Sequence, residues 1–320
     1  MKFDRLGDIT SELSTNLLDS ITLPGGFWEW LTRPLSERLK LRSRQAEAAE
    51  PPRAIAAVAV GPLVLMGGVP VPDESIVAMI HLAGGRSAKL AVIPLAADDP
   101  VKAAEYGTRL FTRFGMKAVQ VLELTSRERA DNPEWAAQLA AFDAVFLCGD
   151  NATLGLEVMR NTASARVLRQ MMSAGKPIAA LGGAAAITAE RVLVHRNGQE
   201  ILAEGLCLAS GMLVEPQFTQ ESRFSRVVRA LHTPGATALM GVGLDAGAAV
   251  AIRDGEGKVL GEAGVTFLDA RDSMPGPGVA EGSFSGLQVH VLMDGMGINL
   301  RTRKPLAQSR EAAQAVGGGR

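Results

Sequence analysis

Residues 177–187 read PIAALGGAAAI, an apolar run that ends at two glycines and continues with small apolar residues. An unbroken apolar run is typical of a strand that is covered on both faces of a parallel sheet. Glycines directly after such a run allow the chain to turn sharply at the strand's carboxyl end. Because ligands of doubly wound sheets lie at the carboxyl ends of the strands, this segment predicts both a fold class and the edge where its site lies.

Similar runs alternate with helical segments on either side of this stretch. Apolar strands are predicted at 54–66, 88–94, 118–124 and 144–148, and helices at 101–114, 135–141 and 166–173. The alternation predicts an α/β fold, a three-layer sandwich with a mostly parallel doubly wound sheet. Shorter strands at 247–252, 264–268 and 287–293 are expected to extend the same sheet antiparallel at one edge.

The composition limits the functional classes. With 320 residues, 47% hydrophobic and 21% charged, the chain is typical of a globular protein of one or two domains. A formal net charge of -1 argues against a nucleic-acid-binding protein. The two cysteines, Cys148 and Cys207, suit a reducing compartment and lack the neighbours of a metal site. No apolar signal segment begins the chain, so we expect a cytoplasmic protein. We also expect no cofactor.

Several motifs, in order along 60–303, resemble the cyanophycinase and aspartyl-dipeptidase family of serine peptidases, which share the fold of class I glutamine amidotransferases. The segment 65–68, LMGG, resembles the family's first glycine turn, and 148–151, CGDN, stands where the family has Gly-Gly-Asp-Gln. Residues 177–187 cover the family's nucleophile elbow, Gly-Thr-Ser-Ala-Gly-Ala and its flanks. Residues 215–218, EPQF, cover Asp-Gln-His-Phe, and 241–246, GVGLDA, cover Gly-Ile-Gly-Ile-Asp-Glu.

The departures from this pattern fall on the reactive positions. The resemblance places the nucleophilic serine at Gly182, the general-base histidine at Gln217 and the acid that orients it at Ala246. A serine hydrolase needs a hydroxyl, a base and a group that holds the base in its tautomer, and none of the three residues supplies its part. The resemblance therefore implies a catalytically degenerate member of the family. The alternative is that 182–183 form an ordinary tight turn outside any elbow.

The resemblance also implies a cleft beside the degenerate triad. Its expected members are Cys148, Gly149, Asp150, Asn151, Gly183, Arg223 and Asp245. Cys148 is a candidate replacement nucleophile, although a thiol needs an activating base. Asp150 and Asp245 are candidates for acid–base chemistry or for a capping role. Arg223 is expected either on a solvated helix face or near an acidic group of a ligand.

The chain is expected to divide into a helical extension with a linker at 1–53, an α/β domain at 54–303 and a flexible tail at 304–320. An aromatic and apolar group in the extension is a candidate docking element, formed by Phe27, Trp28, Trp30, Leu31 and Leu35. It is expected to contact the chain's own body or a second copy, another protein, or a membrane surface. Under the docking hypothesis, removing 1–53 leaves a folded body.

Two functions remain open at this point. The first is a non-catalytic pseudo-peptidase that acts as a binding, scaffolding or regulatory subunit, as a homo-oligomer, most simply a dimer, with a cleft for an acidic or arginine-containing peptide. The second is an active hydrolase of this family that uses other catalytic residues. Neither involves a metal ion or a cofactor.

Overall fold

A computed structural model of the chain describes residues 21, 23–33, 61–275 and 283–307. Its larger sheet has nine strands, five of them parallel. The five parallel neighbours are β1 (Leu63–Met66), β2 (Lys89–Ile93), β3 (Ala118–Val121), β4 (Ala144–Cys148) and β5 (Ile178–Leu181). Every residue of β1, β4 and β5 is buried, which is why these strands are continuous apolar runs in the sequence.

Helices connect these strands. They are α1 (Phe27–Thr32), α2 (Asp73–Leu82), α3 (Pro100–Thr112), α4 (Arg127–Asp131), α5 (Pro133–Ala140), α6 (Ala152–Met159), α7 (Ala163–Ser173), α8 (Gly183–Thr188) and α9 (Phe224–Leu231). Several begin at a side chain that accepts an amide hydrogen bond, as Asp99 does for α3 and Thr162 for α7. Helix α2 lies in a stretch where we predicted neither a helix nor a strand.

Four antiparallel strands extend the larger sheet beyond β1. They are β10 (Ala249–Arg253), β11 (Glu256–Leu260), β16 (Gly297–Asn299) and β17 (Lys304–Pro305). The antiparallel extension is confirmed for the strand predicted at 247–252. β17 begins one residue beyond the predicted end of the domain, and its pairing with β16 joins 304–305 to the sheet.

The other two late strands belong to a second sheet, so the expectation that they extend the first one is wrong. This six-stranded sheet contains β6 (Ala189–Arg196), β7 (Gln199–Glu204), β8 (Ala209–Pro216), β9 (Met240–Leu244), β12 (Val265–Asp269) and β15 (Gln288–Leu292), in the order β15-β12-β9-β8-β6-β7. A small hairpin pairs β13 (Met274–Pro275) with β14 (Phe284–Ser285). A buried strand has the same apolar pattern in either sheet, so the pattern does not tell which partner it pairs with.

Three layers result. One face of the larger sheet packs against α1, α2 and α3, where Val64, Ile80 and Phe111 share one core cluster. The other face packs against α4–α8 and the second sheet, where Leu65, Leu168 and Val242 share another. Helix α9 covers the outer face of the second sheet. The predicted α/β class is confirmed, and the second sheet is the part that the sequence did not predict.

The extension contributes to the core of the domain. Phe27, Trp30 and Leu31 are 1%, 4% and 5% exposed and pack on the face covered by α2 and α3. Of the surfaces that the sequence left open for the aromatic group, these three side chains use the chain's own body. Trp28 is 41% exposed, with its ring centroid 4.4 Å from that of His81. Leu35 lies outside the described residues.

A buried ion cluster fastens the end of the described chain to the second sheet. Arg303, 2% exposed in its side chain, donates to Asp269 at 2.6 Å and to the Leu239 carbonyl at 3.2 Å. Burial alone would raise the pKa of Asp269, but hydrogen bonds from Arg271 and the charge of Arg303 outweigh it and hold that pKa below its usual value.

This cluster predicts a pH-dependent stability. A carboxyl with a lowered folded-state pKa stabilises the fold above its unfolded pKa of about 3.9, and the contribution is lost as the pH falls through the folded value. Asp269→Asn is expected to cost roughly 1–3 kcal/mol at neutral pH, and less as the pH falls below about 4. Urea unfolding at several pH values measures this, with the exposed Asp272→Asn as control. A cost that is unchanged at low pH would contradict the assignment.

None of the helices in the described parts of the chain combines the length and apolar character needed to cross a membrane.

Candidate functional site at the strand-to-helix turn

Gly182 stands between the last residue of β5 and the first residue of α8. Its backbone has φ 64° and ψ -133°, a conformation that side chains rarely adopt. Its amide donates to the carbonyl of Met66, at the end of the neighbouring β1, at 3.0 Å. Gly182 therefore has the sharp strand-to-helix geometry of a nucleophile elbow, but without a side chain.

The carboxylate of Asp150 occupies the space beside Gly182. A β-carbon built on Gly182 would lie 2.1 Å from Asp150 Oδ1, well inside van der Waals contact. Asp150 belongs to the loop that leaves the adjacent β4, where Gly149 has φ 133° and contacts the backbone of Ala96 too closely to carry a side chain. The loops that follow β4 and β5 therefore meet, as predicted. The carboxylate of Asp150 lies beside the place where the β-carbon of a nucleophile would be.

Gln217 and Ala246 lie next to the same turn. The resemblance assigns these two positions to the general base and to the acid that orients it. A β-carbon on Gly68 would be 3.2 Å from Gln217 Cγ and 3.5 Å from Ala246 Cβ. The amide of Gln217 donates to the carbonyl of Gly67 at 3.2 Å. Gly182 is hydrogen-bonded to Met66, and Met66 directly precedes Gly67 in the chain. The amide nitrogens of Gly182 and Gln217 therefore lie within about 12 Å of each other.

These three positions cannot perform serine hydrolysis. Gly182 has no hydroxyl, the Gln217 amide cannot take a proton at neutral pH, and the Ala246 methyl cannot orient a base. The three residues supply none of the groups that the resemblance assigns to their positions.

A cavity of about 300 Å³ opens beside the turn. Among the predicted cleft residues, Asp150, Asn151, Gly183 and Arg223 line it. The other three have structural roles: Cys148 is buried in β4, the Gly149 carbonyl accepts from Ala184 at 2.9 Å, and Asp245 accepts from the amide of Thr219 at 2.8 Å. The cavity also involves Arg226, which the resemblance places beside Arg223, and Asp98, Thr153, His195 and Glu215, which the sequence did not identify as binding residues.

The two arginines of the cavity are already neutralised. The buried carboxylate of Glu215 accepts from Arg223 and lies 3.2 Å from Arg226. Arg223 is also 2.8 Å from Glu221, and Arg226 is ion-paired with Glu200. Because both guanidinium groups are held by carboxylates, the expected recognition of an acidic ligand by Arg223 gains no support from the structure.

The two aspartates of the cavity are not neutralised. Asp98 accepts from the Asn151 amide at 2.9 Å, and neither Asp98 nor Asp150 forms an ion pair within the described residues. Burial raises the pKa of Asp150 above its usual value, and the charge of Asp98 acts in the same direction while Arg223 opposes it. The uncompensated charge of this cavity is negative.

Cys148 is not available as a replacement nucleophile. Its thiol is buried, and it contacts the carbonyls of Ile93 and Ala103 at 3.7 and 3.6 Å. Burial, together with the charge of Asp150, raises the pKa of the thiol to about 12. Attack requires a thiolate, which is scarce at neutral pH when the pKa is this high.

This environment predicts selective alkylation. With iodoacetamide at pH 8, native Cys148 is expected to remain unmodified while the half-buried Cys207 reacts first. Mass spectrometry of peptides from the native and the unfolded chain measures both sites. Rapid modification of Cys148 in the native chain would contradict the buried, protonated thiol.

The profile of peptidase family S51 matches residues 63–260. The chain belongs to peptidase family S51. The match runs from β1 to β11 and therefore includes the turn at Gly182 and the positions of Gln217 and Ala246.

Within family S51 the chain is similar to cyanophycinases. It is 29% identical to the cyanophycinase of Synechococcus elongatus over 238 residues, which cover 69% of this chain and 73% of that protein. It is 25% identical to the cyanophycinase of Geminocystis herdmanii over 243 residues, covering 71% and 88%. A crystal structure of a peptidase from an acI-B1 Actinobacterium matches 75% of this chain and 97% of its own with a TM-score of 0.56 at 21% identity, which supports the fold.

Proposed function

We propose that this member of family S51 is a non-catalytic pseudo-peptidase that binds a ligand at its degenerate elbow and acts as a binding, scaffolding or regulatory subunit. The proposal rests on one observation. Gly182 has no side chain, and the carboxylate of Asp150 occupies the space beside it. Asp150 stands at the aspartate of the family's Gly-Gly-Asp-Gln, and with no side chain on Gly182 its carboxylate lines the turn. We infer that the elbow serves as a carboxylate-lined binding site.

The charges of the cavity favour a cationic ligand group. Asp98 and Asp150 are uncompensated, while Arg223 and Arg226 are held by carboxylates. A guanidinium or ammonium group entering the cavity would regain the charge-assisted hydrogen bonds that both aspartates lack. Of the two ligand classes considered from the sequence, an arginine-containing peptide is therefore favoured over an acidic one.

A binding role is compatible with assembly into a homo-oligomer or with a protein partner in the cytoplasm. Within the predicted docking group, Trp28 is the described member with an exposed side chain. We propose that the docking contact of the extension uses Trp28.

Calorimetric titration with a β-aspartyl-arginine dipeptide tests the binding role. The wild-type chain is expected to bind it and leave it intact, as judged by mass spectrometry of the recovered ligand. Asp98→Asn with Asp150→Asn should weaken binding at least tenfold, whereas Asp272→Asn, an exposed aspartate outside the cavity, should leave it unchanged. Equal affinity for the wild-type chain and the double variant would refute the proposed site.

A hydrolase with other catalytic residues is the second candidate, and one observation favours it. Burial raises the pKa of Asp150, and Asp150 shares its cavity with Asp98, so its carboxyl suits general acid–base chemistry. In that case the wild-type chain would cleave the dipeptide and Asp150→Asn would abolish cleavage.

A further inference from the structure

A second cavity, of about 510 Å³, lies between α6 and the hairpin formed by β6 and β7. Thr153 and Glu157, one turn apart on α6, form one wall together with Arg160 at the end of the helix. His195, Arg196 and Glu204 form the opposite wall. This cavity is separate from the one at Gly182, although Thr153 and His195 line both.

Arginines without acidic partners converge on this cavity. Within the described chain, Arg127, Arg160 and Arg196 line it, and none of them has a carboxylate oxygen within 4.0 Å. Other arginines nearby are paired: Arg129, two residues after Arg127, is 2.8 Å from Glu123. Three arginines without a carboxylate partner therefore line one cavity.

The three guanidinium groups are not equivalent. Arg127 donates to the carbonyls of Glu157 and Arg160 at 3.3 and 2.9 Å. These hydrogen bonds hold its guanidinium group at the carboxyl end of α6. No hydrogen bond of the Arg160 or Arg196 side chain occurs within the described residues, so their donors are open to a ligand. An arginine fork with free donors suits the bidentate geometry of carboxylate and phosphate groups.

A neutral donor adds to this set. The hydroxyl of Thr153 accepts from the amide of His195 at 3.1 Å, and it makes no other hydrogen bond within the described part of the chain. A hydroxyl that accepts one hydrogen bond still has its own hydrogen to donate. Glu157 and Glu204 also line the cavity, so the three arginines and two glutamates leave one net positive charge.

We propose that this second cavity is an oxyanion-binding site, which takes a carboxylate or phosphate group on Arg160 and Arg196, with Arg127 and Thr153 beside them. The assignment goes beyond the proposed function, because it concerns different side chains and opposite ligand charge. The shared wall of Thr153 and His195 places the anion site next to the cationic-ligand cavity.

Arginine Nε–Hε resonances of the ¹⁵N-labelled full-length chain report on the site during titration with inorganic phosphate and, separately, with succinate. Sodium chloride keeps the ionic strength constant, because simple screening by salt would otherwise imitate binding. Saturable shifts are expected with at least one of the two anions. Binding of phosphate alone would identify a phosphoryl ligand, and binding of succinate alone a carboxylate ligand.

Arg160→Gln combined with Arg196→Gln should weaken this binding at least tenfold. The control is Arg166→Gln, which removes an exposed arginine that lies 3.9 Å from Asp131 and outside the cavity, and it should change the affinity less than twofold. Thermal melts verify that all variants fold. Absence of saturable shifts with both anions, or equal affinity in the double variant, would overturn the proposal. Because neither probe is cationic, failure here would leave the proposed function at Gly182 unaffected.

Discussion

Replacing Trp30 with alanine is expected to lower the free energy of unfolding by about 3–5 kcal/mol, the range found for large aromatic residues removed from cores. Trp30 is 4% exposed and its ring centroid lies 5.2 Å from that of Phe27. Both side chains pack on the face of the larger sheet that α2 and α3 cover. Chemical denaturation of the full chain, followed by circular dichroism, measures the loss.

Trp28→Ala is the matched control, two residues away on the same helix. Its side chain is 41% exposed, and surface substitutions usually change stability by about 0.5 kcal/mol or less. By the same reasoning, removal of residues 1–53 should destabilise the domain, which reverses the expectation from the sequence. Equal costs for Trp28→Ala and Trp30→Ala, or a truncated chain as stable as the full one, would show that α1 is not part of the core.

Gly182→Ser is expected to destabilise the chain and to restore no activity. The serine would need φ near 64°, which costs roughly 1–3 kcal/mol in a residue with a side chain. Its β-carbon would also displace the carboxylate of Asp150, but this side chain is exposed and can rotate away, so the collision adds less than the backbone strain. No base would deprotonate the new hydroxyl, because Gln217 is neutral and Ala246 orients nothing.

Two further variants separate the parts of this cost. Gly175→Ser places a serine at φ 83° with nothing within 4 Å, so it carries the backbone strain without the collision. Adding Asp150→Ala to Gly182→Ser removes the collision and should recover part of the stability. A Gly182→Ser chain as stable as the wild type would mean that Asp150 does not occupy the elbow.

The parallel half of the larger sheet was predictable because each of its strands is buried on both faces. Local patterns such as 144–148 and 178–181 therefore specified the strands and their common direction. The second sheet was not predictable, because whether β12 pairs with β9 or extends the first sheet depends on contacts between residues far apart in sequence. The packing of Trp30 on this body was one of several alternatives left open, since a short helix before a linker gives no sign of the surface it covers.

Within the site, the sequence predicted the turn at Gly182 and the neighbouring positions Gln217 and Ala246. It did not predict which charged side chains of the cavity are paired and which are not. Asp98 follows the carboxyl end of β2, and that position was a signal that we did not use. His195 and Glu215 come from the second sheet, so no argument from the first sheet could place them. The neutralisation of Arg223 by Glu215 and Glu221 depends on side-chain geometry that spacing alone does not encode.

We propose above that the elbow binds its ligand and does not hydrolyse it. Incubation of the wild-type chain with β-aspartyl-arginine polymer, with release of dipeptide followed by mass spectrometry, tests this directly. An active cyanophycinase assayed in parallel shows that the substrate and conditions are adequate. We expect that dipeptide is released no faster with the wild-type chain than in buffer alone, at any concentration of the chain. Release that increases in proportion to the concentration of the wild-type chain would contradict it.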